Sequence, residues 1–199
     1  MQKELASCGD SAIATLQANA SIPEGMGVEG FYHVECRDAE GNLKWVEKFP
    51  NLVVAVGKQL MLDTLLKGSS YSVVGPYLGL IGNSTTYAAA DTMTSKTWTE
   101  FVNYTVGGSA VRGTAVFGSA NSSGLTPSNV TTSSATAITY TITGAGGTVY
   151  GCFLVTGSGA SSTLSNTGGT LYSEGNFTTA KTTTAGDTVS VTYSTTATS

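Results

Sequence analysis

Charge is the first thing this chain lacks. Its 199 residues include only nine Lys or Arg and thirteen Asp or Glu, 11% together, against about a quarter in an ordinary soluble domain. The net charge is −4 and the basic residues are scattered. Gripping a phosphate backbone takes a clustered cationic face, so nucleic acid is set aside as a partner. There is one histidine, His33, and three cysteines, Cys8, Cys36 and Cys152, with no CxxC pair among them. That is not the spacing of a zinc site, and an odd, dispersed set of thiols reads as buried or incidental. No run approaches the roughly 20 apolar residues that cross a bilayer. The opening stretch carries Lys3, Glu4 and Asp10 without a long apolar segment, so it is not read as a secretory signal.

What is present favours β-structure. Hydrophobic residues reach 40%, and a chain of this size buries roughly 70% of its unfolded surface without a metal or disulfide staple. Thr, Ser, Val and Gly dominate the second half, and β-branched side chains suit a pleated surface better than a helix. Most charges lie between Lys3 and Lys67, and none lies between Arg112 and Glu174. The uncharged stretch keeps the alternation of "TAITYTI" and the apolar run of "TVYGCFLV", which predicts folded sheet and not a disordered tail.

Along the chain, residues 1–28 read as an arm: "DSAIATLQANA" suits a short helix, and "SIPEGMGVEG" then breaks regular structure. Such a segment is expected to order against a neighbour. In "FYHVECRD" Tyr32, Val34 and Cys36 share one face and His33, Glu35 and Arg37 the other, the pattern of a half-buried strand. "DAEGN" supplies a tight turn, "LKWVEKF" returns as a second strand ending at Pro50, and "VGKQLMLDTLLKG" predicts a helix stopped by Gly68. Further strands are expected in "VVGPYLGLIG", buried on both faces, and in "TEFVNYTV", "SAVRGTAVFG", "ATAITYTIT", "GTVYGCFLVTG", "GTLYSEGNF" and "DTVSVTYSTTAT". The expectation is one all-β domain over residues 29–199, a jelly-roll-like β-sandwich of about nine strands with one short helix and the N-terminal arm.

No pattern of catalytic residues stands out. Glu35, Asp38, Glu40 and Glu47 cluster around the first hairpin, but a general acid needs a desolvated cleft, and these read as a solvated face. A Ser–His–Asp triad would depend on His33, and "GSG" at 157–159 lacks the strand-to-helix setting of a nucleophile elbow. "TGAGGTVYG" is not a phosphate loop, because it leads into a strand and not a helix, and it reads as a hairpin turn. Trp98, in the loop-like "DTMTSKTWTEF", is the best candidate for an exposed aromatic anchor.

Taken in order, "VECRDAEGNLKW", "EKFPNLVV", "GKQLMLDTLL", "PYLGLIG", "YAAADTMTSKTWTEFVNYT", "RGTA", "GTVYGCFLV", "GGTLYSEGNFTT" and "GDTVSVTY" resemble a group of β-rich virion structural proteins of tailed bacteriophages. The resemblance spans residues 30–195 and leaves the arm outside. It implies a non-enzymatic protein without cofactor, metal or catalytic residue, most simply a capsid decoration (cement) protein on the outer head surface. The implied partners are the major capsid protein and further copies of the chain, as dimer or trimer, with no nucleic acid and no membrane. The implied location is the virion, after synthesis in the host cytoplasm. The alternative is a tail or head-fibre accessory that binds a host receptor or glycan, with Trp98 as its surface anchor.

Overall fold

The structure, a computed structural model, describes residues 27–68, 70, 74–84, 86–118, 128–130 and 137–198. The expected arm lies outside these except for Gly27 and Val28, which already belong to the first strand. Strand β1 (Gly27–Arg37) turns through residues 38–42 into β2 (Leu43–Pro50). Asp38 builds that turn by accepting the backbone N–H of Glu40 at 3.1 Å and of Asn42 at 2.7 Å, and Gly41 takes a positive φ of 87°. After β3 (Leu52–Val53) comes the helix α1 (Ala55–Leu65). Gly57 brings its first turn against β-structure: a Cβ there would sit 2.6 Å from the Tyr172 carbonyl oxygen. Gly68, at φ 67°, takes the left-handed conformation expected of a stop just beyond it.

The remaining strands are β4 (Tyr77–Ile81), β5 (Glu100–Phe101), β6 (Tyr104–Thr105), β7 (Gly113–Thr114), β8 (Ser128–Val130), β9 (Ile138–Ile142), β10 (Gly147–Thr156), β11 (Thr170–Thr183) and β12 (Thr188–Thr198). They form two six-stranded antiparallel sheets. Sheet A runs β2-β1-β12-β9-β6 with β8 also on β12; sheet B runs β3-β11-β10-β4-β5 with β7 also on β4. The pairings nest: β1 with β12, β3 with β11, β4 with β10, β6 with β9. The chain is thus a long hairpin folded across both layers of a β-sandwich.

Twelve strands replace the nine expected because β3, β5, β6, β7 and β8 are two or three residues long, too short to show alternation. "TEFVNYTV", read as one strand, is two in different sheets. Asn103 holds the crossing, its carbonyl accepting the Thr143 N–H at 2.9 Å and its amide donating to the Gly146 carbonyl at 2.8 Å. The glycines of "TGAGGTVYG" do make a turn, with Gly144 and Gly146 at positive φ. It joins β9 in sheet A to β10 in sheet B, so it is an arch between layers and not a hairpin.

Between the sheets, Tyr32, Val34 and Cys36 of β1 and Val189, Val191 and Tyr193 of β12 face Leu78, Leu80, Cys152 and Leu154 of sheet B, all buried. Two tyrosines span the gap with satisfied hydroxyls: Tyr140 donates to the Leu78 carbonyl at 2.8 Å, and Tyr32 shares a 2.8 Å bond with Ser173 Oγ. A second apolar layer covers the other side of sheet B. There Ile81, Phe153, Val155 and Leu171 pack under Val54, Met93, Trp98 and Ala160. This double burial is why β4 and β10 read as unbroken apolar runs while β1 alternates.

Candidate contact face

The two sheets differ in what they show to solvent. Sheet B is covered on its outer side by α1 and the segments 86–99 and 157–169, whereas the outer side of sheet A is open among the described residues. Register places the rows of that face. Arg37 is opposite Thr188, which is opposite Thr141; Glu35 is opposite Ser190 and then Thr139; His33 lies between Lys48 and Thr192; Phe31 lies between Pro50 and Ser194. Alternation aims these side chains outward, because Tyr32, Val34 and Cys36 point in. One half of the face is therefore a Ser/Thr field with no charge, where Thr139 and Ser190 share a 3.2 Å bond. The other half is mixed: Leu43 and Val46 of β2 are 52% and 49% exposed, and Lys48 sits 4.7 Å above the Phe31 ring.

The acidic residues near the first hairpin divide by strand parity. Glu35 is on the open face, paired with Arg37 at 2.6 Å, and Asp38 and Glu40 are in the turn. Glu47 points the other way and ties β2 to β11, meeting Lys181 at 2.8 Å and accepting the Thr178 N–H at 2.7 Å.

Trp98 corrects the sequence expectation most sharply. It is 2% exposed, its ring 4.5 Å from that of Phe153, and its indole N–H donates to Glu174 Oε2 at 2.5 Å. It clamps the segment 86–99 onto sheet B and presents no face to a ligand.

Two other polar clusters do comparable work. Arg112 grips Glu100 with two bonds, at 2.8 and 2.7 Å, and donates to the carbonyls of Ser161 and Asn166. Asp187 accepts Lys44 Nζ at 2.6 Å and the Thr184 N–H at 2.8 Å. Burial pushes the Asp187 carboxyl up, but the bonds from Lys44 and Thr184 outweigh it and the net shift is downward. Cys36 lies 4.0 Å from that carboxylate, and burial with the nearby negative charge pushes its thiol up to about 11. Burial also pushes the Cys152 thiol well up. Both are thiols at neutral pH, poor nucleophiles and poor metal ligands.

An apolar groove of about 360 Å³ separates α1 from the end of the sandwich, with Met61, Leu65, Phe117, Leu154 and Tyr172 among its walls. Apart from hydroxyls its described lining offers no convergent polar groups of the kind that orient a small-molecule ligand. Comparison of the chain with protein families, with curated proteins and with solved structures returned no match.

Proposed function

We propose that this protein is a non-enzymatic structural component of a tailed-bacteriophage particle, a capsid decoration protein that docks on the head through the open face of sheet A. The observation that carries this reading is the contrast between the two sheets: one is covered on both sides, the other leaves its outer side open among the described residues, half of it an uncharged Ser/Thr field and half a mixed patch. Four strands about 4.8 Å apart and about 30 Å long make a patch of about 600 Å², close to the roughly 800 Å² per partner of a standard specific interface. A broad sheet face suits a shell of repeated, gently curved sites better than a cleft does. The buried polar clusters support the same reading, since each is used to fix a surface segment onto a sheet and none is assembled around an open site. The resemblance to phage virion proteins supplies the class of partner, the major capsid protein, and repeated shell sites supply avidity without tight single contacts. The receptor-binding alternative loses the residue that suggested it, because Trp98 is buried.

Placing two ammonium groups on the apolar half of the face tests the docking surface. In the double variant Leu43→Lys/Val46→Lys, co-sedimentation with heads lacking the protein falls at least about tenfold, since unpaired charges must be desolvated on docking. Both side chains are already about half exposed, so the melting temperature moves little. Unchanged head binding by a folded double variant removes sheet A as the docking face.

A further inference from the structure

The Glu174 carboxyl is placed where an ionised group is poorly served. Glu174 is on β11, paired with Phe153 and Leu52 on either side, and is fully buried. Its Oε2 accepts the Trp98 indole N–H, while Oε1, also buried, has no hydrogen-bond partner. Asp91, 8% exposed, comes from the covering segment and lies beside it. Asp91 is itself used locally, its Oδ2 accepting the Ala88 N–H at 2.8 Å. The other charges facing this spot are Lys96, whose Nζ is held by the Met93 carbonyl at 2.9 Å and lies 4.9 Å from the Trp98 ring, and the Arg112–Glu100 pair beyond the Phe153 ring. Tyr32 approaches from the opposite side of the sheet.

We infer that Glu174 and Asp91 form a proton-operated latch that closes the segment 86–99 over the outer face of sheet B when Glu174 is protonated and loosens it when Glu174 ionises. Protonated, Glu174 has an O–H to offer the Asp91 carboxylate and still accepts from Trp98. Ionised, it sets a second negative charge against Asp91 where water is excluded and leaves Oε1 without a donor, which is costly in a low-dielectric site. The Trp98 N–H by itself favours the ionised form, so the cost of ionising comes from burial and from Asp91, and opening the segment relieves both. Burial, helped by the Asp91 carboxyl and opposed by the Trp98 bond, raises the Glu174 carboxyl to about 7, and opening the segment returns it to water and to an ordinary value near ~4.3. Closing therefore takes up a proton. The closed form has its full advantage below the open-state value and loses it as pH rises through about 7. The latch concerns sheet B only and leaves the docking face on sheet A intact, so it stands or falls independently of the proposed function.

Hydrogen exchange of the Trp98 indole N–H across pH 5 to 8.5, corrected for intrinsic exchange rates, tests it. In the wild-type protein the protection factor falls by up to about tenfold per pH unit between ~5 and ~7 and levels off above ~8. Protection of the Tyr140 amide in sheet A changes far less. Glu174→Gln flattens the Trp98 profile, and Asp91→Asn, which removes the neighbouring charge, moves its midpoint to lower pH. Three results overturn the latch: a wild-type Trp98 profile independent of pH, a parallel fall at Tyr140, or an Asp91→Asn midpoint identical to wild type. None of the three needs a Glu174 variant to fold.

Discussion

Replacing Arg112 by Ala lowers the free energy of unfolding by about 3–5 kcal/mol, the loss found when one partner of a buried ion pair is removed. The guanidinium is 1% exposed and serves three separate places. It holds both oxygens of Glu100, and it gives N–H groups to Ser161 O at 3.1 Å and Asn166 O at 2.7 Å. Glu100 in turn accepts the Ser165 N–H at 2.7 Å. Deleting the cation leaves Glu100 buried without its counter-charge and removes two of the bonds that hold the segment 157–169. Arg112→Lys does not rescue, because one ammonium cannot reproduce a planar fork that addresses a carboxylate and two carbonyls at once. The urea midpoint reports the loss; a shift worth less than about 1 kcal/mol is the surface-pair result and contradicts this role.

Gly151→Ala is the second large effect, about 3 kcal/mol or more, at or beyond the upper end of overpacking costs. Gly151 is in the middle of β10, and a Cβ there would stand 2.0 Å from the Gly175 carbonyl oxygen and 2.8 Å from Asn176 Cα on β11. Both obstacles are backbone, so no rotamer change relieves them and the two central strands of sheet B must separate. The pairing is already irregular here, shifting between Val149 and Gly151. Gly41, by contrast, has nothing within 4 Å of an added Cβ; Gly41→Ala meets only the strain of a positive φ, about 1 kcal/mol. The difference between the two melting temperatures is the measurement. Equal, small losses at both sites are incompatible with the close approach of β10 and β11.

Where the sequence was legible, one physical signal sufficed. The strict alternation of "FYHVECRD" follows from a strand with one face in the core and one in water, and the continuous apolar run of "PYLGLI" from a strand covered on both sides. What covers sheet B was harder to see. Trp98 stands among Thr, Ser and Lys, the composition of an exposed loop, and only the folded chain brings it onto Phe153 and Glu174. A weaker signal did exist. Arg112 and Glu174 bound a long uncharged stretch, and Glu174 interrupts the otherwise apolar and small run "TLYSEGNF". A lone ionisable group in such a setting is either exposed or buried for a reason: Arg112 is gripped by Glu100 and two carbonyls, and Glu174 is buried with one oxygen on the Trp98 N–H. Glu47 departs from the solvated face for a simpler reason: strand residues of different parity fall on opposite faces, and Glu47 turns toward Lys181 and Thr178. The arch at residues 143–147 has the composition of a hairpin turn, and only the pairing of β9 with β12 and of β10 with β11 shows that it changes layers.

The proposed docking of this sandwich on a phage head is tested most directly by adding the purified protein to heads that lack it. Bound copies per head and the temperature at which the heads open are both read. Decoration predicts saturable binding, with copies in a fixed ratio to the capsid subunits and heads that withstand higher temperatures once saturated. Binding at a handful of copies per head, or none, contradicts it.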